Sequence, residues 1–130
     1  MKKTIFYSAC ILICIFASQG FGQGATRIQF AKGKNAATVQ GSTGSYGKTY
    51  VVRARSGQKI VLTITPRTGV GVKVETNGSY GEQVLFREER GGTYEVGLEE
   101  TGDYTIFLGS TNGKPAAFTM TVKITKLADI

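Results

Sequence analysis

The chain has no histidine and no tryptophan, and only two cysteines and two prolines in 130 residues. Each scarcity removes a class of chemistry. Hydrolytic nucleophiles need a neighbouring base, most often His, so Ser–His and Cys–His systems are excluded by composition. A Ser–Lys pair such as Ser110 and Lys114 is present, but no catalytic spacing frames it. Structural zinc sites draw on Cys and His and are excluded in the same way. A calcium loop needs clustered oxygens in a D-x-[DN]-x-[DN]-G spacing. The nearest cluster, Glu99-Glu100-Thr101-Gly102-Asp103, lacks that spacing and reads as a solvated turn. Glu88/Glu89 and Glu99/Glu100 are sequence neighbours, which in strands point to opposite faces. Neither pair sets two carboxyls across one cleft, as glycoside hydrolysis requires. The composition points away from an enzyme and implies no metal and no cofactor.

Both cysteines fall in an N-terminal leader. Lys2 and Lys3 form a positive start, Ile5 to Ala17 is an apolar run, and Ser18-Gln19-Gly20-Phe21-Gly22 is a small-residue exit. That order is the pattern of a secretory signal peptide. Cleavage is expected after Gly22, leaving residues 23–130 as one domain. The apolar run is shorter than the roughly 20 residues of a spanning helix. Neither Cys10 nor Cys14 has the flanks of a lipobox, so both read as small hydrophobes within the run. The expected location is a bacterial periplasm or the exterior. The 108 residues beyond the leader suffice for a single core, which must hold without disulfides.

Loss of the two leader lysines lowers the formal charge from +7 to +5. A basic exported domain is attracted to acidic partners such as an envelope polysaccharide or an enzyme with a carboxylate-lined cleft. The same charge also serves solubility, and the cations are dispersed along the chain. No cluster interleaves aromatics with Lys and Arg as single-strand binders do, so nucleic acid is not an expected partner.

What is abundant is alternation. Phe118-Thr119-Met120-Thr121-Val122-Lys123-Ile124-Thr125 places apolar residues at every second position, the period of a half-buried strand. The same holds for Ile60/Leu62/Ile64, Tyr104/Ile106/Leu108, Tyr94/Val96/Leu98, Tyr50/Val52/Ala54 and Val70/Val72/Val74. Ile28/Phe30, Ala37/Val39 and Val84–Arg87 are shorter candidates. Ser56-Gly57, Asn77-Gly78, Gly91-Gly92, Thr101-Gly102 and Asn112-Gly113 supply turns between them. One apolar face per strand is the signature of two sheets packed face to face. The expected fold is all-β: a single antiparallel β-sandwich or jelly roll of eight or nine short strands.

Several stretches resemble a known family. Thr49-Tyr50-Val51-Val52-Arg53-Ala54-Arg55-Ser56-Gly57-Gln58-Lys59-Ile60 and Gly102-Asp103-Tyr104-Thr105-Ile106 are similar to hallmark segments of the bacterial pre-peptidase C-terminal (PPC) type of jelly roll. Arg27–Gly33, Ala37–Gly41 and the closing Phe118–Ile124 fit the same order. Single-domain exported relatives include periplasmic inhibitors of g-type lysozyme. The resemblance implies a non-enzymatic binding protein whose loops occlude the enzyme's acidic groove. Carried over by position, the partner-binding residues are Tyr46, Lys48 and Tyr50 in and after one loop, and Ser110, Thr111, Asn112 and Lys114 in another. The second loop is shorter and less basic than the inhibitors', with Lys114 as its one cation.

Two readings of Tyr46 stay open on sequence: an exposed anchor for a partner, or a ring folded back over the end of the sandwich. A different function, binding of carbohydrate or another envelope polymer, would use exposed Tyr46, Tyr80 or Phe86 to stack on sugar rings.

Overall fold

The structure, a computed structural model, describes residues 25–78 and 81–126. The expected leader and Tyr80 lie outside the described residues. Among the described residues nine strands follow one another: β1 (Ala25–Arg27), β2 (Ala36–Ser42), β3 (Lys48–Ala54), β4 (Gln58–Thr65), β5 (Val70–Gly78), β6 (Gly81–Glu88), β7 (Gly92–Gly97), β8 (Gly102–Ser110) and β9 (Ala117–Lys126). They form a five-stranded sheet in the order β1-β3-β8-β5-β6 and a four-stranded sheet in the order β2-β9-β4-β7. Only β5 and β6 are neighbours both in sequence and in a sheet; every other connection crosses between sheets. That order is a jelly roll.

The alternation explains the packing. Ile60, Leu62 and Ile64 of β4, Met120 and Val122 of β9, Val52 of β3, Val70 and Val74 of β5, and Ile106 and Leu108 of β8 are fully buried between the sheets. Each such side chain contributes about 1.5–3 kcal/mol on burial. The outer faces are polar. On the four-stranded sheet one row of threonines crosses all four strands: Thr38 opposes Thr121, Thr121 opposes Thr63, and Thr63 opposes Thr93. Thr38 and Thr121 share a hydrogen bond at 3.0 Å and Thr63 and Thr93 one at 3.3 Å, the cross-strand pairing that stabilises a sheet.

Two expectations need correction. The sandwich is not wholly antiparallel, because β1 pairs with β3 in parallel, Ala25 to Thr49 through Arg27 to Val51. The chain leaves β1, crosses to β2 in the other sheet, and re-crosses to β3, so it reverses twice before lying beside its start. The first strand also ends earlier than the Ile28/Phe30 pair suggested. Ile28 donates one more hydrogen bond to the Val51 carbonyl at 2.8 Å and is buried. The chain then turns away through Gly33, whose φ of +79° suits glycine. The weakest candidate, Val84–Arg87, is part of a full strand, β6, at the edge of the larger sheet. Its pairing with β5 slips between Val74 and Glu75, a bulge of the kind that twists an edge away from further pairing.

Candidate functional site

The crossing connections sort the loops to the two ends of the sandwich. At one end lie the β2–β3 loop (residues 43–47), the β4–β5 loop (66–69), the β6–β7 link (89–91) and the β8–β9 loop (111–116). Both loops expected to bind a partner are therefore neighbours, although about 70 residues separate them in sequence.

Thr43 ties them together. It is 1% exposed, although its neighbours in the loop face solvent. Its backbone N–H donates to the Ala116 carbonyl at 2.9 Å, and its Oγ1 accepts from the Ala116 N–H at 3.1 Å. The hydroxyl in turn donates to the Gly44 carbonyl at 3.0 Å. A buried hydroxyl is tolerated because it both donates and accepts a hydrogen bond. A second tie fixes the β8–β9 loop to the β4–β5 loop, from the Thr111 N–H to the Gly69 carbonyl at 3.1 Å. A third ties the remaining β6–β7 link to the β4–β5 loop, from the Gly91 N–H to the Arg67 carbonyl at 3.0 Å.

On this frame Tyr46 is 94% exposed. It stands between Gly44 and Gly47, whose φ values of +61° and +91° turn the chain so that the ring points away from the core. The folded-back reading of Tyr46 is therefore wrong. At Gly47 a Cβ would come within 2.3 Å of Phe107 Cζ, so this turn admits glycine alone.

The other expected residues separate into distinct roles. Tyr50 is a correction: it is 3% exposed and belongs to the core. Its ring packs edge-on against Phe118 with centroids 6.2 Å apart, in space left by Gly41, where a Cβ would meet the Tyr50 hydroxyl at 3.1 Å. Burial pushes its phenol pKa above the ordinary value. The alternation rule had set Tyr50 inward, and that rule prevails over carry-over by position. Lys48 is half-buried, with Nζ 5.6 Å from the centre of the Tyr50 ring, a cation–π contact. Ser110 and Asn112 are spent on the loop itself. Ser110 Oγ donates to Asn112 Oδ1 at 2.9 Å, the Asn112 N–H donates to Ser110 Oγ at 3.3 Å, and the Lys114 N–H donates to Asn112 Oδ1 at 3.0 Å. This is the local side-chain-to-backbone closure that makes Asn a turn residue. Thr111 and Lys114 remain exposed, and Lys114 has no hydrogen-bond or ion-pair partner for its side chain among the described residues.

Arg67 and Arg90 were missed from sequence. Both are exposed, and the Gly91 tie holds their two segments side by side at the same end as Tyr46 and Lys114. A Cβ at Gly91 would sit 2.2 Å from the Pro66 carbonyl oxygen. That glycine was legible as a turn, but not as the point where two basic segments meet. Some cations elsewhere are matched. Arg27 holds Asp103 through two bonds of 3.2 and 2.8 Å, with Arg53 at 3.8 Å from the same carboxylate. Lys59 meets Glu95 and Lys73 meets Glu75, both at 2.9 Å. The Arg27 guanidinium draws the Asp103 carboxyl below the ordinary range. Of the sugar-stacking candidates, Phe86 is half-buried and packs on Tyr94 with ring centroids 4.8 Å apart. Its face is therefore engaged.

No protein-family model matches the sequence, and no curated protein matches it. Solved structures do. PliG of Aeromonas hydrophila, a periplasmic lysozyme inhibitor of g-type lysozyme, superposes with a TM-score of 0.68 at 22% identity, over 78% of this chain and 96% of that one. This chain shares the PliG fold. PliG of Salmonella Typhimurium, likewise a periplasmic inhibitor of g-type lysozyme, gives 0.61 at 24% identity, over 79% and 99%. The pre-peptidase C-terminal domain of a Bacillus anthracis collagenase gives 0.53 at 15% identity, over 79% and 96%. The PPC-like sandwich and its likeness to PliG thus stand on structure as well as on the motifs.

Proposed function

We propose that the protein is an exported, non-enzymatic binding protein that inhibits a g-type lysozyme by seating one end of its sandwich in the enzyme's substrate groove. The observation that carries this reading is the Thr43–Ala116 clamp. It presents fully exposed Tyr46 beside the Lys114 loop on a rigid scaffold. Rigid aromatic anchors ringed by polar groups are the usual hot spots of protein interfaces. Lys114, Arg67 and Arg90 surround this end, and their charge favours approach to an acidic groove. Similarity of fold to the PliG inhibitors supports the choice of partner. A periplasmic or extracellular location, reached by way of the leader, is part of the proposal.

The test is lysis of peptidoglycan by a g-type lysozyme with and without excess purified protein. Slowed lysis that weakens as salt rises is the expected result, because exposed charges are screened beyond about 8 Å at physiological ionic strength. Unslowed lysis at low salt would overturn the proposal.

A further inference from the structure

Among the described residues the two sheets end on four edge strands, β1 and β6 on the larger and β2 and β7 on the smaller. A sheet edge presents unpaired backbone N–H and C=O groups, and shortness, charge or a bulge normally keeps another chain from adding to it. β1 has three residues. β6 carries its bulge together with Glu82, Arg87 and Glu88. β7 has six residues, starts and ends on glycine, and bears Glu95. β2 has none of these devices. It runs for seven residues without a charge or a proline. Its register against β9 is unbroken from Ala36–Lys123 to Ser42–Ala117.

The hydrogen bonds at the two ends of β2 fix which groups point outward. The Asn35 carbonyl accepts from the Ile124 N–H, and the Thr43 N–H donates to the Ala116 carbonyl, each at 2.9 Å. Odd-numbered residues of β2 therefore bond to β9. Alternation turns the N–H and C=O of Ala36, Thr38, Gln40 and Ser42 toward the open side, where β2 has no neighbouring strand among the described residues. All four are exposed and uncharged.

This pattern is complementary to itself. An antiparallel copy centred on Val39 sets Thr38 opposite Gln40 and Ala36 opposite Ser42, and uses the whole strand. These are the outward-bonding residues, so each copy donates four N–H groups to the other and accepts four in return. No like charges face each other, the pairing that destabilises a sheet. The hydroxyl row is extended rather than broken: Thr93, Thr63, Thr121 and Thr38 of one copy continue into Gln40, Thr119 and Thr65 of the other. On the inner face half-buried Val39 meets its own counterpart at a non-hydrogen-bonded position, where side chains approach most closely.

From this geometry we infer that the free edge of β2 pairs antiparallel with β2 of a second copy, joining two four-stranded sheets into one of eight strands. Such an isologous contact closes on itself as a two-fold dimer. Each β2 runs toward its own β2–β3 loop, so the two Tyr46 ends point in opposite directions. The inference stands independently of lysozyme inhibition and names a different surface from the Tyr46 end.

The test is analytical ultracentrifugation of the purified protein over a concentration series at low and high salt. A monomer that gives way to a dimer, and to nothing larger, is expected. The chain is net positive and the seam is uncharged, so association is expected to hold or tighten as salt screens the repulsion. Thr38→Lys sets a cation on the seam and is expected to weaken the dimer at least tenfold. Thr93→Lys puts the same charge in the same row at the opposite edge of the sheet and is expected to leave the dimer unchanged. Gln40→Pro removes an outward N–H that β9 does not use, a change an edge strand tolerates, and is expected to weaken the dimer while keeping the circular dichroism of the wild type. A monomeric mass at every concentration overturns the inference. So does a dimer that Thr38→Lys leaves intact, one that Thr93→Lys breaks equally, or one that salt dissociates. A protein that dimerises but fails to slow lysozyme loses only the inhibitor reading; one that inhibits as a strict monomer loses only this interface.

Discussion

Replacing Thr43 by valine keeps the shape of the side chain and removes its hydroxyl. In the folded protein this strands the Ala116 N–H, which now donates to Thr43 Oγ1 at 3.1 Å, and removes the donor to the Gly44 carbonyl. The site is 1% exposed, so water cannot readily take over. An unsatisfied buried donor costs about 1–3 kcal/mol, and about 2 kcal/mol is expected here. The backbone bond from Thr43 to Ala116 at 2.9 Å survives, which keeps the loss below the upper end of that range. For a domain of about 100 residues each kcal/mol moves the melting temperature by about 4–8 °C, so a fall of about 8–16 °C is expected. The same loss frees the two loops from one another. Under the proposed function only molecules with both loops in place would bind lysozyme, so the apparent Kd is expected to rise as that fraction falls, by up to about thirtyfold for 2 kcal/mol. Urea unfolding gives the stability, with an unchanged slope showing that the compared states are alike. Inhibition titrations give the affinity. Thr43→Ser retains the hydroxyl and is expected to keep most of both. If Thr43→Val and Thr43→Ser unfold within about 0.5 kcal/mol of each other, the clamp does not hold the loops and the reasoning is wrong.

Tyr46→Ala is expected to change stability by less than about 0.5 kcal/mol, as for other exposed positions, while costing at least tenfold in inhibition; an inhibition curve matching wild type would remove Tyr46 from the interface. Gly47→Ala combines a φ of +91° with a Cβ 2.3 Å from Phe107 Cζ, so it should destabilise by more than about 2 kcal/mol. Gly33→Ala, with φ +79° and open space around it, should cost only about 1 kcal/mol, and denaturant curves of the pair check the difference. The Asp103 carboxyl is held below its ordinary range by Arg27, so its contribution is present above the unfolded pKa and fades as pH falls through the lower folded value. The stability gap between wild type and Asp103→Asn should therefore be open at pH 6 and close below about pH 4. Both partners are partly solvated, so the gap is small, and a gap that widens in acid would contradict the assignment.

The strands were legible because alternation is local. Ile60, Leu62 and Ile64 declare one buried face without reference to any other part of the chain, and the structure buries all three completely. Tyr50 shows the reach of that rule: its place between Thr49 and Val51 set it inward, and only carry-over by position put it in the site. Tyr46 shows its limit. No period governs a glycine-rich loop, and the direction of the ring depends on the φ values of Gly44 and Gly47. Arg67 and Arg90 gave no signal at all, because nothing near either one says which loop will lie beside it.

The amino-acid sequence by itself determined an all-β core held without disulfides, its inward residues and its turn points, because side-chain period and glycine placement act within a few residues. Tertiary structure alone decided that Thr43 meets Ala116, that Gly71 faces Gly109, and that four loops share one end. Those contacts arise from hydrogen bonding between strands far apart in the chain, such as β2 with β9. Backbone donors and acceptors are the same at every residue, so the partner of each strand is settled only when the two sheets close on a common core.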